Sequence, residues 1–244
     1  MLYFLLRTTG TIPKFMKRRA PCIGSRIILS ADSTCDLGDE LKARYAVHYY
    51  PFHVILDGQT YADGVDLMPD DIYRVYREKK ILPKTAAINT AEYIDYFRQW
   101  TDQGYEVIHF NLGSGLSATH NNCRLAAEEL PGVYVIDSCN LSTGSGLLVL
   151  EAADRIAAGM PAAQIAQEVR ALTSHAHASF VLDTLEFLYK GGRCSALAML
   201  TGICHSSRLQ AVRLIPAERR SSLRFLSFLG VDVIPLRCTI TWGL

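Results

Sequence analysis

Two serines stand in a short turn where their hydroxyl groups could hold an anion. Ser114 and Ser117 follow an apolar segment at 107–112, typical of a buried strand, and helical spacing begins at Leu116. A helix N-terminus offers unpaired backbone N–H groups and the positive end of a dipole, so this turn is suited to a carboxylate or a phosphate. Ordinary helix caps use the same residue types, and for one turn alone capping is the commoner role.

Two other turns carry similar chemistry. Asp32 and Ser33 follow the apolar segment 26–31, and Asp137 and Ser138 follow the segment 133–136. The carboxyl ends of parallel strands meet at one edge of a sheet, so we expect these side chains on the same rim as Ser114. The convergence of three such turns predicts a polar binding site.

An enzymatic function at the same rim is an alternative. Asp32, Ser33, Ser114 and Asp137 could act together on a phosphate or acyl substrate. The sequence offers no evident pair of a nucleophile and a base for this chemistry. It also contains no GxSxG or HExxH motif, no phosphate-binding glycine loop of the Walker type and no zinc spacing.

The elements that must position these side chains alternate between strand and helix over residues 26–160. This alternation predicts an α/β fold with a mainly parallel open sheet and helices on both faces. The expected extended segments are 26–31, 47–56, 107–112, 133–136 and 179–184, and residues 81–89 are expected to form a loop. The expected helices are 37–45, 68–77, 91–103 with Thr90 as its cap, 116–130, 140–158 and 162–176.

Composition limits the kind of protein. The chain has 244 residues, of which 49% are hydrophobic, and its formal net charge is +1, so nothing global favours binding to nucleic acid. The seven cysteines form no CxxC pair, which favours reduced thiols and a cytoplasmic location. The apolar run at the N-terminus is too short to span a membrane. We expect residues 1–25 to be a disordered or mis-started leader, with Met16 as the natural start.

Seven short motifs, in this order, resemble the DegV family of bacterial fatty-acid-binding proteins. Each motif is weak alone, but their order and spacing hold from about residue 26 to 200. The motifs are Asp32-Ser33-Thr34, Asp57-Gly58 with Tyr61 and residues 63–66, Pro83-Lys84-Thr85, residues 114–117, residues 135–138, residues 144–153, and residues 183–188 with 190–195.

The resemblance implies two α/β domains that enclose one long-chain fatty acid in an apolar tunnel. It implies that Thr85 and Ser117, with Ser114 as a neighbour, hold the carboxylate. Such proteins need no cofactor or catalytic residue of their own, and several present the fatty acid to a separate kinase that makes an acyl phosphate. The resemblance places Arg193 near the domain interface, where contact with a partner protein is expected. The remaining rim residues are Asp32, Ser33, Gly115 and Ser138.

The sequence departs from the family pattern in three places. Gly113 stands where the family usually has a serine, and Ala86-Ala87-Ile88 stands where it usually has Ser-Gln-Pro. After about Leu200 the family's strand pattern and its closing glycine-rich segment are not recognisable. We therefore expect an N-terminal domain at 26–160 and a partial second α/β domain at 161–244, atypical from about 201. A shifted reading frame or a truncated gene would explain such a tail, and the chain would then be a remnant without function.

Overall fold

A four-stranded parallel sheet forms the centre of the protein. The computed structural model describes the backbone of residues 26–182, 189–190, 203–206, 209–213 and 233–240, and the side chains of residues 26–176 and 189–190. The sheet order is β2-β1-β6-β7, from β1 (Ile27–Asp32), β2 (His48–Tyr50), β6 (Glu106–Asn111) and β7 (Val133–Asp137). β1 and β6 are buried along most of their length, as expected for strands covered on both faces.

Helices cover both faces of this sheet, as the sequence predicted. On one face, α5 (Thr143–Ala157) and α6 (Ala162–Leu172) bury small and aliphatic side chains against Ile108, Phe110 and Ile136. On the other face, α3 (Thr90–Thr101) and α4 (Thr119–Glu128) pack Tyr93 and Phe97 against Val107 and Val135. A shorter helix, α1 (Asp39–Tyr45), connects β1 to β2. The α/β class and the open parallel sheet are confirmed.

A second, antiparallel sheet contains the segment that carries Thr85. Its order is β4-β3-β5, from β3 (His53–Leu56), β4 (Gln59–Ala62) and β5 (Lys84–Ala86). The helix α2 (Pro69–Lys79) lies between β4 and β5 in the chain. Val54, Leu56 and Leu67 form an apolar cluster with Ile72, Val75 and other partly buried side chains that is separate from the two clusters of the parallel sheet.

Two predictions for this region were wrong. The expected extended segment 47–56 is divided, because the chain leaves β2 at Tyr50 and begins β3 at His53 in a different sheet. The expected loop 81–89 contains β5, which pairs with β3. Both errors arise because a three-residue strand leaves too short a pattern in the sequence, and its formation depends on a partner elsewhere in the chain.

The last described segments are also strands. A 3-10 turn at Thr173–His175 ends the expected helix 162–176 early, and β8 (Ala176–Leu182) follows. The remaining strands are β9 (Ile203–Ser206), β10 (Leu209–Arg213) and β11 (Val233–Ile240). β11 pairs with β8 and β10 pairs with β9, all antiparallel. The chain after residue 200 thus contains strands that the sequence did not indicate, and the domain boundary near residue 160 stays a prediction.

Candidate functional site

The turn between β6 and α4 has backbone donors that are free to bind a ligand. Its helix begins at Thr119, three residues later than expected, because Ser117 and Ala118 precede the first helical turn. Within the described part of the chain, the backbone N–H groups of Gly115, Ser117 and Ala118 donate no hydrogen bond. These groups favour an anion because α4 is ten residues long and its N-terminal end carries a positive partial charge.

Ser117 is oriented by the first residue of the helix. Its Oγ accepts the backbone N–H of Thr119 at 3.2 Å and lies 2.9 Å from Thr119 Oγ1. When the buried Thr119 hydroxyl donates to Ser117, the proton of Ser117 is left for an acceptor outside the protein. Ser117 is half-buried, so it is at once fixed in position and accessible.

Ser114 is engaged differently, by a carboxylate. Its backbone N–H donates to Asp137 Oδ1 at 3.0 Å, and Cys139 N–H donates to the same oxygen at 2.9 Å. Partial burial raises the pKa of Asp137, but hydrogen bonds from Ser114 and Cys139 outweigh this and hold the pKa below its usual value. A negative charge therefore lies beside Ser114, and Ser114 is less favourable than Ser117 as a partner for an anionic ligand.

Thr85 lies on the exposed side of β5, in register with Val54 of β3. The chain after β5 returns to α4, where Asn122 Nδ2 donates to the carbonyl of Ile88 at 2.8 Å. Asn122 belongs to the first turns of the helix that follows Ser117. The chain three residues after Thr85 therefore contacts the first turns of α4, the helix that follows Ser117.

Asp32 is a structural connection between two strands. It is 1% exposed, its Oδ2 accepts Leu112 N–H at 2.6 Å, and its Oδ1 accepts the Thr34 hydroxyl at 2.5 Å. Burial raises the pKa of Asp32 to about 6, against the effect of these hydrogen bonds. Because β1 and β6 are neighbours and Asp32 joins their carboxyl ends, this carboxylate holds the rim together and is not presented to a ligand.

Ser138 has a comparable structural role at the end of β7. It is fully buried, its Oγ donates to the carbonyl of Asn140 at 3.0 Å, and it accepts the hydroxyl of Ser145 at 2.9 Å. The amide of Asn140 donates to the carbonyl of Ala176 at 2.9 Å, which ties the turn to the start of β8. The hydroxyl of Ser138 therefore organises the turn, while Gly115 contributes a free N–H group to the rim.

Ser33 also uses its hydroxyl internally. Its Oγ donates to Asp63 Oδ2 at 2.6 Å and accepts Phe52 N–H at 3.1 Å. The sequence placed Ser33 on the rim but gave no sign of Asp63 as its partner, since thirty positions separate the two residues. The structure thus brings Ser33 to the expected edge of the sheet in a different role.

Asn111 is a polar residue of this edge that the sequence motifs did not assign, and it lies close to His120, whose position after the turn suggested a place at the edge of the site. Asn111 is buried at the end of β6, where its Nδ2 donates to the Tyr93 hydroxyl at 3.0 Å and its Oδ1 lies 3.4 Å from His120 Nδ1. Partial burial lowers the pKa of His120, with nearby Arg124 and Arg170 acting in the same direction and Asp137 opposing them. The only sequence signal for Asn111 is an amide at the end of an otherwise apolar strand.

The described residues limit other types of site. Among them, no group of three or more His, Cys, Asp or Glu side chains is arranged to hold a metal ion. No helix in the described ranges is long and apolar enough to cross a membrane. Arg193 lies outside the described residues, so its expected contact with a partner stays a prediction.

The comparison with protein families decides the relationship. A family model described as "Uncharacterised protein, DegV family" matches residues 26–206. The chain belongs to the DegV family. The matched range agrees with the extent of the resemblance in the sequence, which ended near residue 200.

Two curated DegV relatives give the level of similarity. A DegV domain-containing protein of Deinococcus radiodurans is 35% identical over 189 residues, which cover 77% of this chain and 67% of the relative. A DegV domain-containing protein of Clostridium perfringens is 31% identical over 172 residues, which cover 70% of this chain and 62% of the relative. The chain thus spans about two thirds of the length of these DegV relatives.

Two solved DegV-like structures have the same fold. A structure described as fatty acid binding of a DegV family protein from Thermus thermophilus has a TM-score of 0.66 at 32% identity, and covers 74% of this chain and 65% of its own. A structure described as a stearic-acid-binding protein from Eubacterium ventriosum has a TM-score of 0.64 at 29% identity, and covers 72% of this chain and 62% of its own.

Proposed function

We propose that this DegV protein binds one long-chain fatty acid, whose carboxylate is held by Ser117 and Thr85. The observation that carries the proposal is the turn before α4, where Gly115, Ser117 and Ala118 have free N–H groups next to the Ser117 hydroxyl. Backbone N–H groups at a helix N-terminus and a hydroxyl donor are well matched to a carboxylate. The fatty-acid-binding relatives from Thermus thermophilus and Eubacterium ventriosum support the choice of ligand.

Within this proposal Ser117 is the principal serine and Ser114 is a neighbour. Asp137 already accepts the Ser114 N–H, and two carboxylates at one serine would repel each other. A ligand carboxylate placed over Gly115, Ser117 and Ala118 avoids the N–H group that Asp137 already occupies.

The acyl chain accounts for most of the affinity. Each CH₂ group removed from water contributes about 0.8 kcal/mol, so a sixteen-carbon chain could supply roughly 10 kcal/mol before the ordering of the ligand and the protein is subtracted. A fatty acid therefore binds tightly even where the head group has only a few hydrogen bonds. The head-group residues mainly determine the orientation of the ligand.

The proposal includes a role as carrier in the cytoplasm. The described cysteines Cys35, Cys123 and Cys139 are free thiols, in keeping with a reducing compartment. Asp32 and Ser33, two of the four residues suggested for an enzyme, have internal hydrogen-bond partners. We propose that this protein performs no chemistry on the ligand and that a separate kinase converts the bound fatty acid to an acyl phosphate.

The test is titration of the delipidated protein with a fluorescent fatty acid. We expect Ser117→Ala and Thr85→Ala each to weaken binding by about 1–3 kcal/mol, because a charged acceptor loses a donor. Thr60→Ala is the matched control for Thr85, since Thr60 is an exposed threonine of the same small sheet. Ser174→Ala is the control for Ser117, because Ser174 is exposed and bonds to the end of α6.

Unchanged affinity in both Ser117→Ala and Thr85→Ala would remove these residues from the site. Equal losses in the two control variants would mean that the substitutions act through general stability and would count against the proposed site. Absence of binding by the unmodified protein would contradict the proposed function itself.

A further inference from the structure

Three residues form a closed hydrogen-bonded ring at the carboxyl end of β1. Ser33 Oγ donates to Asp63 Oδ2 at 2.6 Å and accepts the N–H of Phe52 at 3.1 Å. The backbone N–H of Asp63 donates to the carbonyl of Phe52 at 2.9 Å, which completes the ring. We call this ring of Ser33, Asp63 and Phe52 the Ser33 bridge.

The Ser33 bridge joins the parallel sheet to the three-stranded antiparallel sheet. Ser33 follows β1 of the parallel sheet, Phe52 precedes β3, and Asp63 follows β4. The side chain of Phe52 packs in the aromatic core beneath α3, whereas β3 and β4 have the separate apolar cluster of Val54 and Leu56. The small sheet therefore depends on a few specific contacts for its position relative to the parallel sheet.

Two other polar contacts join the same parts, one from β3 and one from the segment after β5. His53 Nε2 lies 2.8 Å from Glu92 Oε1 of α3. Asn122 of α4 donates to the carbonyl of Ile88. The Ser33 bridge differs from both because it fixes the start of β3 and the end of β4 together, at the base of the hairpin.

The Ser33 bridge has a short route to Thr85. Val54, two positions after Phe52, pairs with Tyr61 of β4 on one side and with Thr85 of β5 on the other. A displacement of β3 at its base therefore moves the backbone of Thr85 through the pairing of β3 with β5. Thr85 itself is exposed, and its hydroxyl forms no hydrogen bond among the described residues that would hold it in place.

We propose that Ser33 and Asp63 are positioning residues that hold Thr85 at the distance from Ser117 that a carboxylate requires. This inference rests on the proposed function and deepens it, because it assigns a role to residues that do not touch the ligand. Ser33 is not itself a ligand contact, since its proton is donated to Asp63 and the Asp63 carboxylate would repel a second anion.

The test is a pair of double-mutant cycles with a fluorescent fatty acid. We expect Ser33→Ala to weaken binding about tenfold, within the range for loss of a hydrogen bond to a charged group. In the Thr85→Ala background, Ser33→Ala should cause no further loss, because the residue it positions is gone. In the Ser117→Ala background, Ser33→Ala should weaken binding by the same factor as in the unmodified protein, so the two losses of affinity multiply.

If Ser33→Ala weakened binding by the same factor in the Thr85→Ala background as in the unmodified protein, the inference would be overturned. Unchanged binding in Ser33→Ala alone would also overturn it. A general loss of structure would weaken binding equally in every background, so the cycle separates positioning from stability. Asp63→Ala is the second variant if Ser33→Ala does not fold, with the same expected cycle. Asp63→Asn keeps an acceptor for the Ser33 hydroxyl and should retain most of the binding.

Hydrogen exchange tests the Ser33 bridge without any ligand. We expect Ser33→Ala to increase amide exchange in residues 53–62 and 84–86, while residues 106–111 and 133–137 of the parallel sheet keep their protection. Ser174→Ala should leave all four segments unchanged. If the unmodified protein binds no fatty acid, the proposed function fails, and the exchange data still decide whether the bridge positions Thr85. Unchanged amide exchange at residues 84–86 in Ser33→Ala would overturn the inference that the Ser33 bridge positions Thr85.

Discussion

Asp36 is a partly buried carboxylate that lies close to two others at the end of β1. Burial, together with the charges of Asp63 and Asp32 and against a hydrogen bond with the Ser142 side chain, raises its pKa to about 6. Its backbone has a φ of 51° and a ψ of 31°, in the left-handed region. Asparagine is one of the few residues that adopt this region readily, so Asp36→Asn removes the charge without backbone strain.

We expect Asp36→Asn to stabilise the protein at pH 7.5 by about 1–2 kcal/mol. A shift of two pKa units corresponds to roughly 3 kcal/mol, and contact with water reduces this value. The folded-state pKa of about 6 exceeds the ordinary value of 3.8, so the folded protein binds more protons between these values. Protonation of this group therefore increases the free energy of unfolding of the wild-type protein as the pH falls from about 6 to 4. This increase should be absent in Asp36→Asn.

Urea denaturation at several pH values measures this effect, and Asp39→Asn is the control of opposite sign. Asp39 is exposed, and its hydrogen bond and ion pair with Lys42 lower its pKa. A lowered pKa favours the folded state at neutral pH and loses that effect on acidification. Asp39→Asn should therefore not stabilise the protein at pH 7.5. A wild-type pH slope between 4 and 6 that persists unchanged in Asp36→Asn would contradict the prediction.

At this scale the sequence located the rim but not the roles of its residues. Asp32, Ser33 and Ser138 lie at the strand ends where the motifs placed them, yet each has an internal partner. Turn chemistry is local and can be read from neighbouring residues, whereas the partners Leu112 and Asp63 are distant in the chain. Such partners follow from the fold and not from spacing.

At the scale of elements, the central strands and the long helices were predictable and the short strands were not. β1, β6 and β7 have apolar runs bounded by turns, and α5 and α6 have clear helical spacing. The start of α3 was misplaced by one residue, because Asn89 is the cap and forms a capping box with Glu92. Asparagine and threonine are both favoured helix caps, so Asn89-Thr90 leaves the boundary ambiguous from the sequence.

The contact between the turns after β6 and β7 explains why glycine occupies position 113. A Cβ at Gly113 would lie 3.0 Å from the backbone N of Asn140 and 3.0 Å from the backbone carbon of Cys139. Gly113 N–H also donates to the carbonyl of Asn140 at 2.9 Å. In this chain the two turns approach so closely that glycine fits at position 113 better than the serine expected from the family pattern.

We expect Gly113→Ser to destabilise the protein by about 1–3 kcal/mol, as for overpacking against groups that cannot rotate away. Chemical denaturation measures the loss. Gly38→Ser is the control, because nothing lies within 4 Å of a Cβ there and the residue is the cap of α1, where serine is favoured. Gly113→Ser with unchanged stability and tighter fatty-acid binding would mean that the turn relaxes and that the family serine is a ligand contact.

At the scale of the whole molecule, a fatty acid has to be enclosed along its length as well as held at its head group. It spans 62% of the Clostridium perfringens relative and 67% of the Deinococcus radiodurans relative, and the family match ends at residue 206. The proposed head-group residues Thr85 and Ser117 both lie within the matched range. An acyl chain also needs apolar walls, so retention of a fatty acid depends on more of the protein than these two residues.

Native mass spectrometry of the full chain expressed in bacteria tests this directly. We expect a bound mass of a long-chain fatty acid that is released on denaturation, because roughly 10 kcal/mol of apolar burial opposes its loss during purification. Thr85→Ala/Ser117→Ala together should lower the bound fraction, while Thr60→Ala/Ser174→Ala should not. A folded, ligand-free mass that also fails to take up added fatty acid would contradict the carrier function. A broad, highly charged envelope would instead favour an unfolded remnant, which a cooperative thermal transition would exclude.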